Sequence, residues 1–177
     1  MPDQSNTFSF IFSMKQKVYI ETSIPSFYHE ERADAEVVVR KEWTREWWDT
    51  HRHKYILASS PAVLDELNSA EYPEQKREKV IELISSVPLL SVEPAIADIV
   101  QAYIQHKVMP NNPVGDALHL ALASYHKCDF LLTWNCKHLA NANKFHHIRR
   151  VNTLLGLYVP LLVTPLELLG EEENVER

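Results

Sequence analysis

The apolar positions fall into two patterns: short unbroken runs, and longer stretches in which they recur at helical spacing. Residues 18–20, 55–58, 89–92, 129–133 and 161–163 are rich in β-branched, aromatic or leucine side chains, as strands covered on both faces require. Residues 34–53, 61–70, 74–86, 95–107, 114–127 and 142–155 carry a helical period, and 165–169 supply one further turn. Strands alternating with helices predict an α/β fold in a single domain, with a mostly parallel central sheet flanked by helices. That domain is expected over residues 17–170. Residues 1–16 read as an extension ahead of it, with Met14 as an alternative start, and the acidic stretch 171–177 reads as a disordered tail.

Helix starts are marked in three places. Ser60 is placed to cap a helix that begins at Pro61, Pro94 opens another, and Asn112 precedes Pro113 in the same arrangement. In the helix from Pro61, residues Val63, Glu66, Leu67 and Ala70 share one face, so Glu66 lies beside the apolar side while Asp65 points elsewhere. In the helix after Pro113, apolar residues run nearly all round, which implies burial against a sheet. Asp116 falls in its first turn, where a carboxylate is favoured. His119, one turn on, is expected to be a packed histidine. The stripe of Val37, Val38, Trp43, Trp47 and Trp48 reads as core or as a subunit contact.

Length and composition then narrow the function. A chain of 177 residues is long enough to bury a full core without staples. With three glycines it builds neither a GxGxxG turn nor a P-loop, which excludes nucleotide cofactors held that way. Cys128 and Cys136 form no metal pair and no disulfide framework, which fits a reducing, cytoplasmic setting. The apolar run at residues 8–14 is too short to span a bilayer and lacks the basic flank of a signal peptide, so no membrane association is expected. The overall charge of −6 is unevenly spread. Residues 99–166 hold six Lys or Arg against two acids, a local +4 that leaves −10 elsewhere, and six of the nine histidines lie there too. A basic half with a few embedded acids is compatible with a phosphate backbone approaching a metal.

Four polar positions stand at comparable places. Glu21 follows the first strand and Asn135 the fourth, Glu66 sits on a helix face, and Asp116 opens a helix. Ligands of open α/β sheets gather at the carboxyl edge, where Glu21 and Asn135 are expected. Taken singly, each acid is equally readable as a solvated, paired or capping residue.

The carriers YIETSIPS at 19–26, VLDEL at 63–67, GDALHLALA at 115–123 and LLTWNCKHLAN at 131–141 occur in an order that resembles the PIN domain. The closest likeness within it is to the VapC family of toxin ribonucleases, and it covers residues 17 to about 170. The resemblance implies that Glu21, Glu66 and Asp116 hold Mg²⁺ or Mn²⁺, with Asn135 in the place of a fourth acid. It implies hydrolysis of RNA phosphodiesters to 5′-phosphate and 3′-hydroxyl ends. As partners it implies an RNA substrate, a small antitoxin and a second copy of the chain. Two positions depart from the family pattern. Glu21 replaces Asp and moves its carboxylate by roughly one carbon-carbon bond, ~1.5 Å. Asn135 is neutral, leaving a carbonyl ligand and an amide donor. A PIN-like module that binds RNA or protein without cutting is the alternative. A small-molecule phosphohydrolase ranks third, because Glu21 is a poor nucleophile for one.

Overall fold

Val18, Tyr19 and Ile20 have no exposed surface, and the strand they form, β1 (Lys17–Ile20), lies inside the sheet. The computed structural model describes residues 15–109 and 115–170. Among them, β1 is joined by β2 (Ile56–Ala58), β3 (Phe130–Leu132) and β4 (Leu161–Val163), all parallel, in the order β2-β1-β3-β4. Eight α-helices flank this sheet: α1 (Ser23–Tyr28), α2 (Ala35–Glu46), α3 (Pro61–Leu67), α4 (Glu74–Ser85), α5 (Pro94–Gln105), α6 (Asp116–Tyr125), α7 (Ala142–Leu154) and α8 (Pro165–Leu169). The fold is therefore the α/β arrangement expected from the alternation of periods.

Successive strand residues point to opposite faces, and this divides the core into two layers. Tyr19 and Leu131 pack with residues of α5, α6 and α7, among them Tyr103, Leu120 and Ile148. Val18, Ile20 and Leu132 pack with Ile24, Trp47, Trp48, Val80 and Ile84 on the other face. In α6 the small residues Ala117, Ala121 and Ala123 are all buried, so the helix backbone lies close to its neighbours. From β1 the chain crosses to β2 on one side, and from β3 it crosses to β4 on the other. The carriers of the predicted site thus meet where the strand order reverses, the usual ligand crevice of such sheets.

Three helices end in the same way. The Val108 amide donates to the Tyr103 carbonyl (2.8 Å), Cys128 to Ala123 (2.9 Å) and Leu157 to Asn152 (2.8 Å). Each closure needs a left-handed residue, supplied by Lys107 (φ 55°), Lys127 (φ 53°) and Gly156 (φ 67°). In a chain so poor in glycine, lysine fills two of these places, where its charge complements the negative helix end.

Two elements differ from the sequence expectation. Residues 89–92 form only an isolated parallel bridge between Leu89 and Ser59. Pro88 has no N–H to extend the ladder backwards, and the partner strand gives way to α3 at Pro61, so Leu89 and Val92 stay about half exposed. The helix expected over 34–53 is α-helical only to Glu46; Trp47–His51 form a π-helical turn and Arg52–Lys54 a 3₁₀ turn. An α-turn sets consecutive side chains ~100° apart, and the wider turn serves the burial of both Trp47 and Trp48. The tryptophan stripe is core at these two positions, with Trp43 partly buried beside it.

The helix start expected at Asn112 and Pro113, the extension as far as residue 14 and the tail 171–177 lie outside the described residues. No helix among the described residues is long and apolar enough to cross a membrane. Cys128 and Cys136 are both free.

Glu30, just beyond α1, is buried and ties that helix to α4 through Lys76 (3.1 Å), while Arg32 binds the same oxygen (3.1 Å). Burial pushes its carboxyl up, but the Arg32, Lys76 and backbone donors outweigh this and hold it at about 2, against 4.5 for a free side chain. A depressed carboxylate stabilises the fold above its unfolded pKa and loses that contribution as pH falls through its folded one. The native chain should therefore exceed Glu30→Gln in thermal stability near neutral pH. The gap should close as pH is lowered from 4.5 towards 2, which melting curves across that range would measure.

Candidate active site

The parallel register sets Ile20 beside Leu132, so the next residues, Glu21 and Thr133, leave the sheet side by side. The Glu21 amide continues the pairing to the Leu132 carbonyl (3.3 Å). Its side chain is 7% exposed. Glu21 Oε2 accepts from the Thr133 hydroxyl (2.8 Å), the Ser23 amide (3.1 Å) and the Ser23 hydroxyl. Among the described residues Oε1 takes no hydrogen bond. Burial pushes the Glu21 carboxyl up, against the pull of the nearby His119 and of the Ser23 and Thr133 donors.

Glu66 arrives from the last turn of α3 and His119 from the first turns of α6. Glu66 Oε1 pairs with His119 Nε2 at 3.0 Å, and Oε2 accepts from the Thr22 hydroxyl. On its other side His119 Nδ1 lies 2.8 Å from the Tyr19 hydroxyl, which lies 2.7 Å from Ser60 Oγ. Tyr19, His119 and Ser60 are all buried. Burial alone would push His119 down; the hydrogen bond to Glu66 and the charges of Glu21, Glu66 and Asp116 outweigh it and raise the imidazole. Burial likewise pushes Glu66 up, and the His119 and Thr22 contacts bring it below the ordinary range. Glu66 and His119 thus hold each other in place within the acidic cluster.

Asp116 is the first residue of α6, after Gly115. Its Oδ1 accepts from the Asn135 amide nitrogen at 2.8 Å, and Asn135 Oδ1 accepts from the His138 backbone at 3.0 Å. The Asn135 backbone N–H donates to the Thr133 hydroxyl (2.9 Å), which itself donates to Glu21. All four residues singled out in the sequence therefore stand at one end of the sheet, with Glu21, Asn135 and Asp116 joined through Thr133, and Glu66 bonded separately to Thr22 and His119.

One ligand atom each from Glu21, Glu66 and His119 lies within 4.8 Å of the others. Asp116 is outside that group and, among the described residues, is linked to it by hydrogen bonds through Asn135 and Thr133. Clustered carboxylate oxygens, one of them without a hydrogen bond from the described residues, are the donor set that a hard divalent cation takes, and an imidazole beside them is tolerated by Mn²⁺. An open groove of about 450 Å³ reaches the cluster, lined by Thr22, Glu66, Ser69, Tyr72 and Gly115. A larger one of about 600 Å³ lies beside Glu30, Arg32 and Lys76, whose charges are paired with one another.

Sequence reasoning expected His119 to be packed, and it is; its bond to Glu66 was not anticipated. The signal available was its spacing three residues after Asp116, one turn along the same face. Ser60 stands at the expected N-cap, yet makes no capping bond with its side chain. Its hydroxyl turns to Tyr19 instead. Thr22, Ser23 and Thr133 were visible as hydroxyls flanking strand ends.

Comparison with protein-family models and with curated proteins finds no match to the chain.

Tyr19→Phe tests the relay behind His119. It leaves two buried polar atoms each short of one partner, so it should destabilise the protein by about 1–3 kcal/mol in urea denaturation. Unchanged stability would mean that the relay contributes nothing.

Proposed function

We propose that this protein is a metal-dependent endoribonuclease of the PIN type, the toxin of a toxin–antitoxin pair acting in the cytoplasm. The observation that carries the reading is the convergence of Glu21 and Glu66 at the strand-order reversal, with Asp116 linked to Glu21 through Asn135 and Thr133. Glu21 is buried there, and its Oε1 lacks a hydrogen bond from the described residues. Cysteines without disulfides support a reducing compartment. The family resemblance adds an antitoxin and a homodimer as partners.

Glu21 and Glu66 would hold Mg²⁺ or Mn²⁺, with Asp116 completing the negative charge and His119 able to contribute a nitrogen. When bound, such an ion supplies Lewis-acid activation of water and neutralises charge developing on the phosphoryl oxygens. The rest of the work belongs to the chain. Ser23 and Thr133 fix the rotamer of Glu21, Thr22 and His119 fix Glu66, and Asn135 fixes Asp116. Preset ligands lose little freedom when the reaction is reached. In the overall hydrolysis the water oxygen joins phosphorus and the bond from phosphorus to the 3′-oxygen breaks. The products carry a 5′-phosphate and a 3′-hydroxyl.

The alternative is a PIN-like module that binds RNA or protein and does not cut. One observation favours it: His119 already occupies an oxygen of Glu66, and Asn135 already occupies an oxygen of Asp116.

Incubation of a structured RNA with Mn²⁺ separates the two readings. The nuclease reading expects cleavage that chelation abolishes, 5′-phosphate ends, and a rate lower by about 100-fold in Glu66→Gln. RNA left intact by a folded native chain, over a range of Mn²⁺ and Mg²⁺ concentrations, would favour the binding module.

A further inference from the structure

The loop after β3 and the first turn of α7 carry a second set of polar groups that the acidic cluster does not use. His138 donates its backbone N–H to Asn135 Oδ1, and Asn135 in turn holds Asp116. The side chain of His138 meets Lys144: Lys144 Nζ lies 3.3 Å from His138 Nδ1. Both residues are half-buried. An ammonium can only donate, so Nδ1 accepts and the ring hydrogen sits on Nε2. The pair therefore presents two kinds of donor, the remaining N–H groups of Lys144 and the Nε2–H of His138.

Among the described residues neither side chain meets a carboxylate. The ion pairs among the described residues involve Arg32, Arg40, Lys76, Lys79 and His119. The first turn of α7, where Lys144 stands, holds no acid. Glu167, which lines a groove with Ala142 and Phe145, is engaged by Thr164, and Lys144 adds its charge to the positive end of the α7 dipole. It lies one short loop from Asp116, in a protein that is acidic overall. An RNA backbone near the acidic cluster meets repulsion from Glu21, Glu66 and Asp116. A cation fixed at the rim offsets that repulsion for a neighbouring phosphate.

We propose that Lys144 and His138 form a phosphate-binding contact for single-stranded RNA, gripping a phosphodiester next to the one presented to the acidic cluster. Lys144 supplies the charge and His138 the directional donor. The contact is independent of base identity, because phosphates carry no sequence information. The proposal rests on RNA being the ligand of this site, but it does not require that the RNA be cut.

The test is fluorescence anisotropy with labelled oligouridylate and oligoadenylate, using the full chain with Ca²⁺ present, over a series of salt concentrations. Lys144→Gln should weaken binding of both oligomers about fivefold to tenfold and lower the slope of log Kd against log salt by about one. His138→Gln should weaken it less, and Lys144→Arg should retain the native affinity. Lys54→Gln, an exposed lysine ahead of β2, should change nothing. Thermal stability in Mn²⁺ should match the native chain in Lys144→Gln. Affinity of Lys144→Gln within twofold of native, or native protein that binds neither oligomer, would overturn the proposal. If RNA is never cut while Lys144→Gln still loses affinity, the nuclease reading fails and the phosphate contact stands.

Discussion

The constraint on which the rest depends is a carboxylate buried at the end of a central strand. Glu21 is 7% exposed, and burial of an unpaired charge is among the costliest events in folding. Everything around it reduces that cost. Three donors converge on one of its oxygens, a buried histidine with a raised pKa lies near, and the sheet edge leaves its second oxygen free of hydrogen bonds from the described residues. Such an expense is not needed for the fold, since the core on both sheet faces is complete without it. It is the kind of local conflict that marks functional sites.

The sheet topology turns that single residue into a site. Because β1 and β3 are parallel neighbours, their carboxyl ends are adjacent, and Glu21 and Thr133 follow directly from the register. The crossovers run to opposite sides, which leaves the space above these ends uncovered by a connecting strand. α3 and α6 then bring Glu66 and Asp116 over it. Tyr19 belongs to both worlds: its ring packs in the α6 layer and its hydroxyl stands behind His119. Core packing and site geometry are therefore set by the same strand.

Much of this was legible in the sequence because its signals were local. Pro61, Pro94 and Pro165 start helices where the chain says they should, and β4 and α8 coincide with the expected runs. Glu21, Asp116 and Asn135 could be placed together because strand ends and helix starts of an α/β sheet share one edge, while Glu66, in the last turn of α3, was joined to them by the family resemblance. What was not legible depended on partners distant in the chain. Residues 89–92 look like a strand, but whether a run pairs is decided by its neighbour, and Pro61 removes that neighbour after one bridge. The spacing of His119 one turn after Asp116 hints at a shared polar face, but not at the bond to Glu66, 53 positions earlier. Nor does Ser60 reveal that Tyr19 takes its hydroxyl in place of a helix amide. The π-turn at Trp47–His51 likewise follows from the need to bury two adjacent indoles, a demand of the core and not of local propensity.

The measurement that tests the central claim most directly is the melting temperature of the native chain, Glu21→Gln and Asp116→Asn against rising Mn²⁺, without RNA. Binding to the folded state alone raises stability in step with the logarithm of metal concentration. The account predicts such a rise for the native chain, a much smaller one for Glu21→Gln, and an intermediate one for Asp116→Asn, which lies outside the tight cluster of ligand atoms. A melting temperature that stays flat for the native chain at every Mn²⁺ concentration would contradict it.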